Sequence, residues 1–172
     1  MPQRTATRIA GIEHKRGTPM AFTMTGEQIL PADKATVWRM LNDAEVLKAS
    51  IPGCEDLTKT SDTSFAAVAK IKLGPVKATF KGNVELSDID PPNGYTISGQ
   101  GEGGVAGFAK GGAKVRLEDV EGGTRLVYDV EAQIGGKLAQ LGARLINGVA
   151  KKMADEFFAK FAQAVSAGTP AA

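Results

Sequence analysis

The chain has 172 residues, with 21 Lys and Arg against 19 Asp and Glu, 42% hydrophobic residues, 21 glycines, one Cys and one His. That is the profile of one soluble domain able to bury a core without a metal or disulfide staple. Cys54 alone closes no intramolecular bridge, and His14 alone builds neither a His-rich metal site nor a His-centred triad.

The chain opens with a basic segment. Arg4, Arg8, Lys15 and Arg16 against Glu13 give residues 1–19 a net +3, so the overall +2 leaves −1 for residues 20–172. A near-neutral domain is wrong for a general nucleic-acid binder, whose affinity comes from neutralising many phosphates. The segment lacks the run of about seven apolar residues that a signal peptide needs. Nothing approaches the roughly eighteen of a membrane span. Residues 1–19 read as a disordered extension or as sequence following an upstream start codon that is not used, with a functional basic arm as the alternative. Residues 20–166 form the domain, and 167–172 a frayed end. A thiol kept free fits a reducing cytoplasm, which is the expected location.

After a first strand, Asp33 can cap a short helix reaching about Asn42, with Val37, Trp38 and Leu41 inward. Asp43 or Ala44 opens a second short helix that ends before Pro52. Alternation of period two then takes over. Phe65, Ala67, Ala69, Ile71 and Leu73 share one face; after Gly74-Pro75, so do Val76, Ala78, Phe80, Val84 and Leu86. Pro91-Pro92-Asn93-Gly94 makes a turn into a strand over Tyr95–Gly101. Ala113, Val115 and Leu117 mark another strand, and Glu121-Gly122-Gly123 turns it into a last one with Leu126, Tyr128, Val130, Ala132 and Ile134 inward. This patterning predicts an antiparallel sheet with one face in water. A helix from about Lys137 to Val165 follows, carrying Leu138, Leu141, Leu145, Val149, Met153, Phe157 and Phe161 at steps of three and four.

The inward strand residues are small: Ala67, Ala69, Ala78, Gly99, Gly101 and Ala132. The helix brings Ala139, Gly142, Ala143, Ala150 and Ala154. Small residues on both sides mean either close helix-on-sheet packing or an enclosed cavity. The cavity reading draws an apolar lining from Trp38, Met40, Ile71, Phe80, Phe108, Tyr128, Phe157 and Phe158, and expects an apolar small molecule as ligand.

Seven of the fourteen residues from Gly99 to Gly112 are glycine, and Gly99-x-Gly101-x-x-Gly104 spells a dinucleotide fingerprint. That fingerprint needs a helix at its end, whereas Val105-Ala106-Gly107-Phe108 leads into another strand. Two readings remain: a bent strand pair in which glycine permits close approach, or a mobile flap at a cavity mouth with Gly104, Gly107 and Phe108 at its tip. Cys54 reads as a small buried hydrophobe, since no histidine of the domain can activate it. No inward position of the alternating strands holds a carboxylate, so no catalytic residue is assigned. No metal ligand set is assigned either. Lys137, Arg144, Lys151 and Lys152 are solvated, or face anionic lipid or a partner.

Several segments together carry a family resemblance: IPGCE (51–55), GPVKATFKGNVEL (74–86), DIDPPNGY (88–95), GVAGFAKGGAKVRL (104–117), GGTRLVYDVEAQIGGKLAQLGARLI (122–146) and VAKKMADEFFAKF (149–161). Over about residues 22–165 the chain resembles the CoxG subunit family of carbon monoxide dehydrogenase, which belongs to the START-like (SRPBCC) helix-grip superfamily. The resemblance implies an α+β fold in which a seven-stranded antiparallel sheet wraps a long C-terminal helix. It implies a non-catalytic accessory of a molybdenum-containing dehydrogenase, peripheral contact with the inner face of the cytoplasmic membrane, and a quinone, menaquinone or ubiquinone, in the cavity, with no covalently bound cofactor. Some members carry a long extension after the helix; this chain stops seven residues past Val165, so a membrane contact is expected through the surface or the cavity mouth. The alternatives are a membrane-recruitment adaptor whose cavity is filled by side chains, and an enzyme of the START-like cyclase or hydrolase type.

Overall fold

Alternating apolar and polar side chains form a sheet by giving each strand one face to bury, and the computed structural model, which describes residues 20–168, has a single sheet of seven strands. The strands are β1 (Met20–Leu30), β2 (Cys54–Ser61), β3 (Ser64–Leu73), β4 (Val76–Asp90), β5 (Gly94–Glu102), β6 (Phe108–Val120) and β7 (Gly123–Gly135). They lie in the order β1-β7-β6-β5-β4-β3-β2, and all neighbours are antiparallel. Helices α1 (Lys34–Leu41) and α2 (Ala44–Ser50) follow β1; α3 (Lys137–Gln140) and α4 (Ala143–Gly168) end the described chain. This is the helix-grip arrangement the sequence predicts. Residues 1–19 and 169–172 lie outside the described residues, and with them the readings of the basic extension, of His14 and of the last residues.

Four differences from the sequence reading have local causes. The terminal helix is two helices: Gly142 takes φ 90°, outside the helical region, and α4 restarts with the Ile146 amide bonded to the Gly142 carbonyl. The helix also runs through Gly168 rather than fraying from about 166. Strand β2 escapes the alternation rule because CEDLTKTS sits at the sheet edge and buries only Leu57. Asp33 stands at the α1 N-cap, but its carboxylate accepts from the Thr36 hydroxyl and caps no amide. Asp43 does cap α2, accepting from the amides of Glu45 (2.9 Å) and Val46 (3.4 Å).

Two apolar clusters hold helix to sheet. One gathers Leu30, Val37, Leu41, Phe65, Leu126 and the helix residues Phe158, Phe161 and Val165. Phe161 and Val165 are fully buried, each contributing about 1.5–3 kcal/mol. The second gathers Phe22, Leu73, Ile134, Leu138 and Ile146 at the other end of the helix. α4 is thus pinned near both ends.

Candidate functional site

Between those two clusters the interior is incompletely filled. No α4 residue from Asn147 to Phe157 is fully buried, a stretch of about 16 Å, and the apolar Val149, Ala150, Met153, Ala154 and Phe157 all keep partial exposure. The sheet answers in kind. Its register aligns Ala67, Gly82, Gly101 and Ala109 in one inward row, and Val84, Gly99, Gly111 and Ala132 in the next. These residues face the helix yet are only partly buried. Partial exposure on the face turned toward a helix marks looser packing here than in the two clusters.

The glycines of this floor do two different jobs. A Cβ at Gly111 would lie 2.2 Å from the Glu131 carbonyl oxygen, and one at Gly82 would lie 2.2 Å from that of Gln100. There glycine lets neighbouring strands approach, which is the bent-strand reading of the glycine cluster. A Cβ at Gly101 would meet only the Lys81 carbonyl oxygen, at 3.7 Å, with nothing else within 4 Å. Above Gly101 there is room.

An opening lies at the seam between edge strand β1 and helix α4. Phe22, Met24, Gly26, Tyr128 and Ala154 line a pocket of about 380 Å³ together with the charged Glu27, Lys151 and Asp155 and the polar Thr23, Thr25, Gln28 and Asn147. Lys151 Nζ is 3.2 Å from Asp155 Oδ2. Tyr128 lies across β1 from β7: its hydroxyl would be 2.4 Å from a Cβ at Gly26, and its ring stacks on Phe158 at 5.5 Å. Burial, and next the Asp155 charge, push its phenol above the usual ionisation range, with Lys151 acting the other way. A second groove of about 430 Å³ at the far end of the sheet is lined by Asp88, Asp90, Lys114, Arg116 and Glu118 among others. Like the seam pocket, it mixes charged and apolar groups, but it lies away from α4.

The predicted lining residues divide between these surroundings. Trp38, Met40, Tyr128, Phe157 and Phe158 gather in the first cluster, where Trp38 packs on Tyr95 at 5.2 Å and Phe157 meets Phe158 edge-on at 5.0 Å. Ile71 and Phe80 belong to the second. Phe108 does not line the interior. The strand alternation that turns Ala109 and Gly111 inward turns Phe108 outward, opposite Gly135, where a Cβ would meet its ring at 2.3 Å. Nor is Phe108 a tip: the turn between β5 and β6 is a single 3-10 turn, Gly104–Ala106, and its exposed apolar side chain is Val105, at 85%. Cβ atoms at the flanking glycines would strike neighbours, at Gly103 the Phe80 ring (2.6 Å) and at Gly107 the Gly135 carbonyl oxygen (2.0 Å), so this turn packs down on the sheet. Lys137, Arg144, Lys151 and Lys152 are all exposed.

Sequence reading misses the β1 side of the pocket. The alternation of Phe22, Met24 and Gly26 is present as a signal, but Gly26 gains meaning only through its pairing with Tyr128. Cys54 is half-buried, and desolvation raises its thiol pKa, which agrees with an unreactive packing residue. Among the described residues no group of three His, Cys, Asp or Glu could hold a metal ion, and no helix is long and apolar enough to cross a membrane.

Comparison with known proteins places this geometry in a family. The family model for CoxG, described as a subunit of carbon monoxide dehydrogenase, matches residues 26–166. A conserved protein from Geobacillus kaustophilus is 31% identical, with a TM-score of 0.79 over 84% of this chain and 95% of that one. An uncharacterised protein from Rhizobium leguminosarum shares 15% identity, with a TM-score of 0.67 over 87% and 97% of the two chains. The Zhui aromatase/cyclase from Streptomyces sp. R1128 shares 9% identity, with a TM-score of 0.61 over 86% and 94%, a likeness of fold alone. The comparison with curated proteins gives no match. A family match from within β1 nearly to the end of α4 shows that the chain belongs to the CoxG family of carbon monoxide dehydrogenase subunits, with a START-like fold.

Proposed function

We propose that this protein carries an apolar molecule, a quinone or a lipid, between its sheet and α4, as a non-catalytic accessory of a molybdenum-containing dehydrogenase. The observation that carries this reading is the partly buried inner surface between the two packed clusters, floored by Gly101 and its small neighbours. Filling it with several isoprene units would remove apolar surface from water at about 25 cal/mol per Å², before ordering costs. The family's description as a subunit of carbon monoxide dehydrogenase supports the choice of partner. No Asp, Glu or His occupies an inward position in the two middle rows, which favours a carrier over a cyclase or hydrolase. Solvent extraction of the purified protein followed by mass spectrometry should yield a quinone or lipid. An empty extract, with no uptake of menaquinone or ubiquinone on titration, would overturn the proposal.

A membrane contact forms the second part of the proposal, and the distribution of charge favours it. Residues 70–81, 103–112 and 135–152 contain nine Lys and Arg and no Asp or Glu; two of the nine pair with acids outside these segments, Lys70 with Glu55 at 3.4 Å and Lys151 with Asp155 at 3.2 Å. They surround the end where the Gly74 turn meets Leu145 and the Val105 turn meets α3. Lys72 and Lys77 sit directly opposite each other, an arrangement that costs stability unless an anionic surface offsets it. Lysine-rich surface with one protruding valine suits a fluid lipid layer better than a protein interface, where lysine is depleted. Sedimentation with phosphatidylglycerol vesicles tests this. Lys72→Glu with Lys77→Glu should abolish pelleting, and unchanged pelleting would refute this face.

A further inference from the structure

The two tyrosines of the chain occupy the same row of the sheet, through the pairs Tyr95↔Val115 and Val115↔Tyr128, but they differ in one respect. Tyr95 is buried and its hydroxyl donates to the Leu41 carbonyl at 3.4 Å. The Tyr128 hydroxyl has no hydrogen-bond partner among the described residues. Its ring is fixed by stacking on Phe158. Gly26 opposite is what allows the phenol to extend to the seam, since any Cβ there would lie within 2.4 Å of the oxygen. A fixed ring, a free donor and a mouth between two elements make a site for one polar atom at the head of an otherwise apolar ligand.

We infer that Tyr128 donates a hydrogen bond to an uncharged oxygen acceptor, a ketone or quinone carbonyl, so that the ligand sits with its head at the β1–α4 seam and its apolar part toward the Gly101 floor. The neighbours select the class of head group. Glu27 and Asp155 line the same pocket as Tyr128 with Lys151 as its one cation, and because Lys151 at 3.2 Å neutralises Asp155, the net charge of −1 left by Glu27 repels an anionic head. A fatty-acid carboxylate is therefore disfavoured relative to a neutral carbonyl. A phenol is already protonated at physiological pH, and burial moves the Tyr128 pKa further upward, so it stays a donor. This inference rests on the proposal that the interior holds a ligand.

A matched pair of probes separates the two claims. 2-Methyl-1,4-naphthoquinone and 2-methylnaphthalene share a planar fused-ring carbon skeleton and a methyl group, and the quinone carries carbonyl oxygens at the two ring positions where the hydrocarbon carries hydrogens. Calorimetric titration of the intact protein should show Tyr128→Phe weakening the quinone about 3- to 10-fold, the worth of one hydrogen bond, and the hydrocarbon less than about 2-fold. Gly26→Ala, which displaces the same hydroxyl without removing it, should reproduce that selective loss. In the infrared, the carbonyl band of the bound quinone should move to higher wavenumber in both variants, a change that altered packing alone would not produce. Equal losses for both probes, or no loss for either, would overturn the role of Tyr128 while leaving the ligand-binding reading intact. Failure of both probes to bind the unaltered protein would overturn that reading and this one with it.

Discussion

Filling the floor of the interior tests whether space exists there. Gly101→Leu places a side chain where a Cβ has a single neighbour, the Lys81 carbonyl oxygen at 3.7 Å. Replacing glycine inside a strand recovers roughly 0.5–1 kcal/mol, and burying even part of a leucine adds a fraction of its ~1.5–3 kcal/mol. The net expectation is a gain of about 1 kcal/mol, or about 2–4 °C in Tm for a chain of this size. Gly111→Leu, on the same face, is the control. Its Cβ would fall 2.2 Å from the Glu131 carbonyl oxygen and 2.6 Å from the Ala132 Cα, so β6 and β7 must part, at a cost of about 1–3 kcal/mol. Thermal melting followed by circular dichroism reads both, and titration with 2-methyl-1,4-naphthoquinone should show Gly101→Leu binding less of it. If Gly101→Leu melts as low as Gly111→Leu, the helix already fills the space above Gly101 and the cavity argument fails.

Other expectations follow from single sites. Ala154→Phe, at the seam pocket, should slow ligand entry while leaving Tm within a few degrees; unchanged uptake kinetics would show that ligands enter elsewhere. Gly142→Ala should cost about 1–2 kcal/mol from backbone strain alone, because Gly142 has φ 90° and no atom within 4 Å of a Cβ position; a neutral result in chemical denaturation would mean that α3 and α4 can join into one helix. Folding raises the phenol pKa of both Tyr95 and Tyr128 above 10.0, in each case first through burial. The protonated phenols therefore favour the folded state below pH 10, and that contribution is lost as the pH climbs through the raised values. Absorbance at 295 nm should accordingly show little tyrosinate at pH 10, and half-ionisation there would contradict the burial. Cys54, whose thiol pKa burial also raises, should react with iodoacetamide at pH 8 more slowly than a free cysteine peptide.

Much of the architecture is legible in the chain because period-two alternation states which face of each strand is buried. It locates β3, β4, β5 and β7 closely and gives the sheet its wet and dry sides. It also predicts that small residues accumulate under the helix. Local pattern fails where a neighbour decides the outcome. CEDLTKTS becomes an edge strand because β3 offers it a ladder, although it buries only Leu57. Hydrophobicity assigns Phe108 to the interior, yet its register with Gly135 places it outside. The break at Gly142 is hidden by an apolar stripe that continues on both sides of it.

A composition with 21 glycines and only 7 Phe, 2 Tyr and 1 Trp determined by itself that the interior would hold small side chains, since those volumes are fixed by residue type. Only the tertiary structure decided which glycines admit strands and which leave room, because that depends on whether the neighbouring backbone or nothing lies beyond the missing Cβ. Pairing across the sheet likewise brought Gly26 beneath Tyr128, two residues about a hundred positions apart, and no local pattern encodes that the phenol would end without a partner in the pocket between β1 and α4.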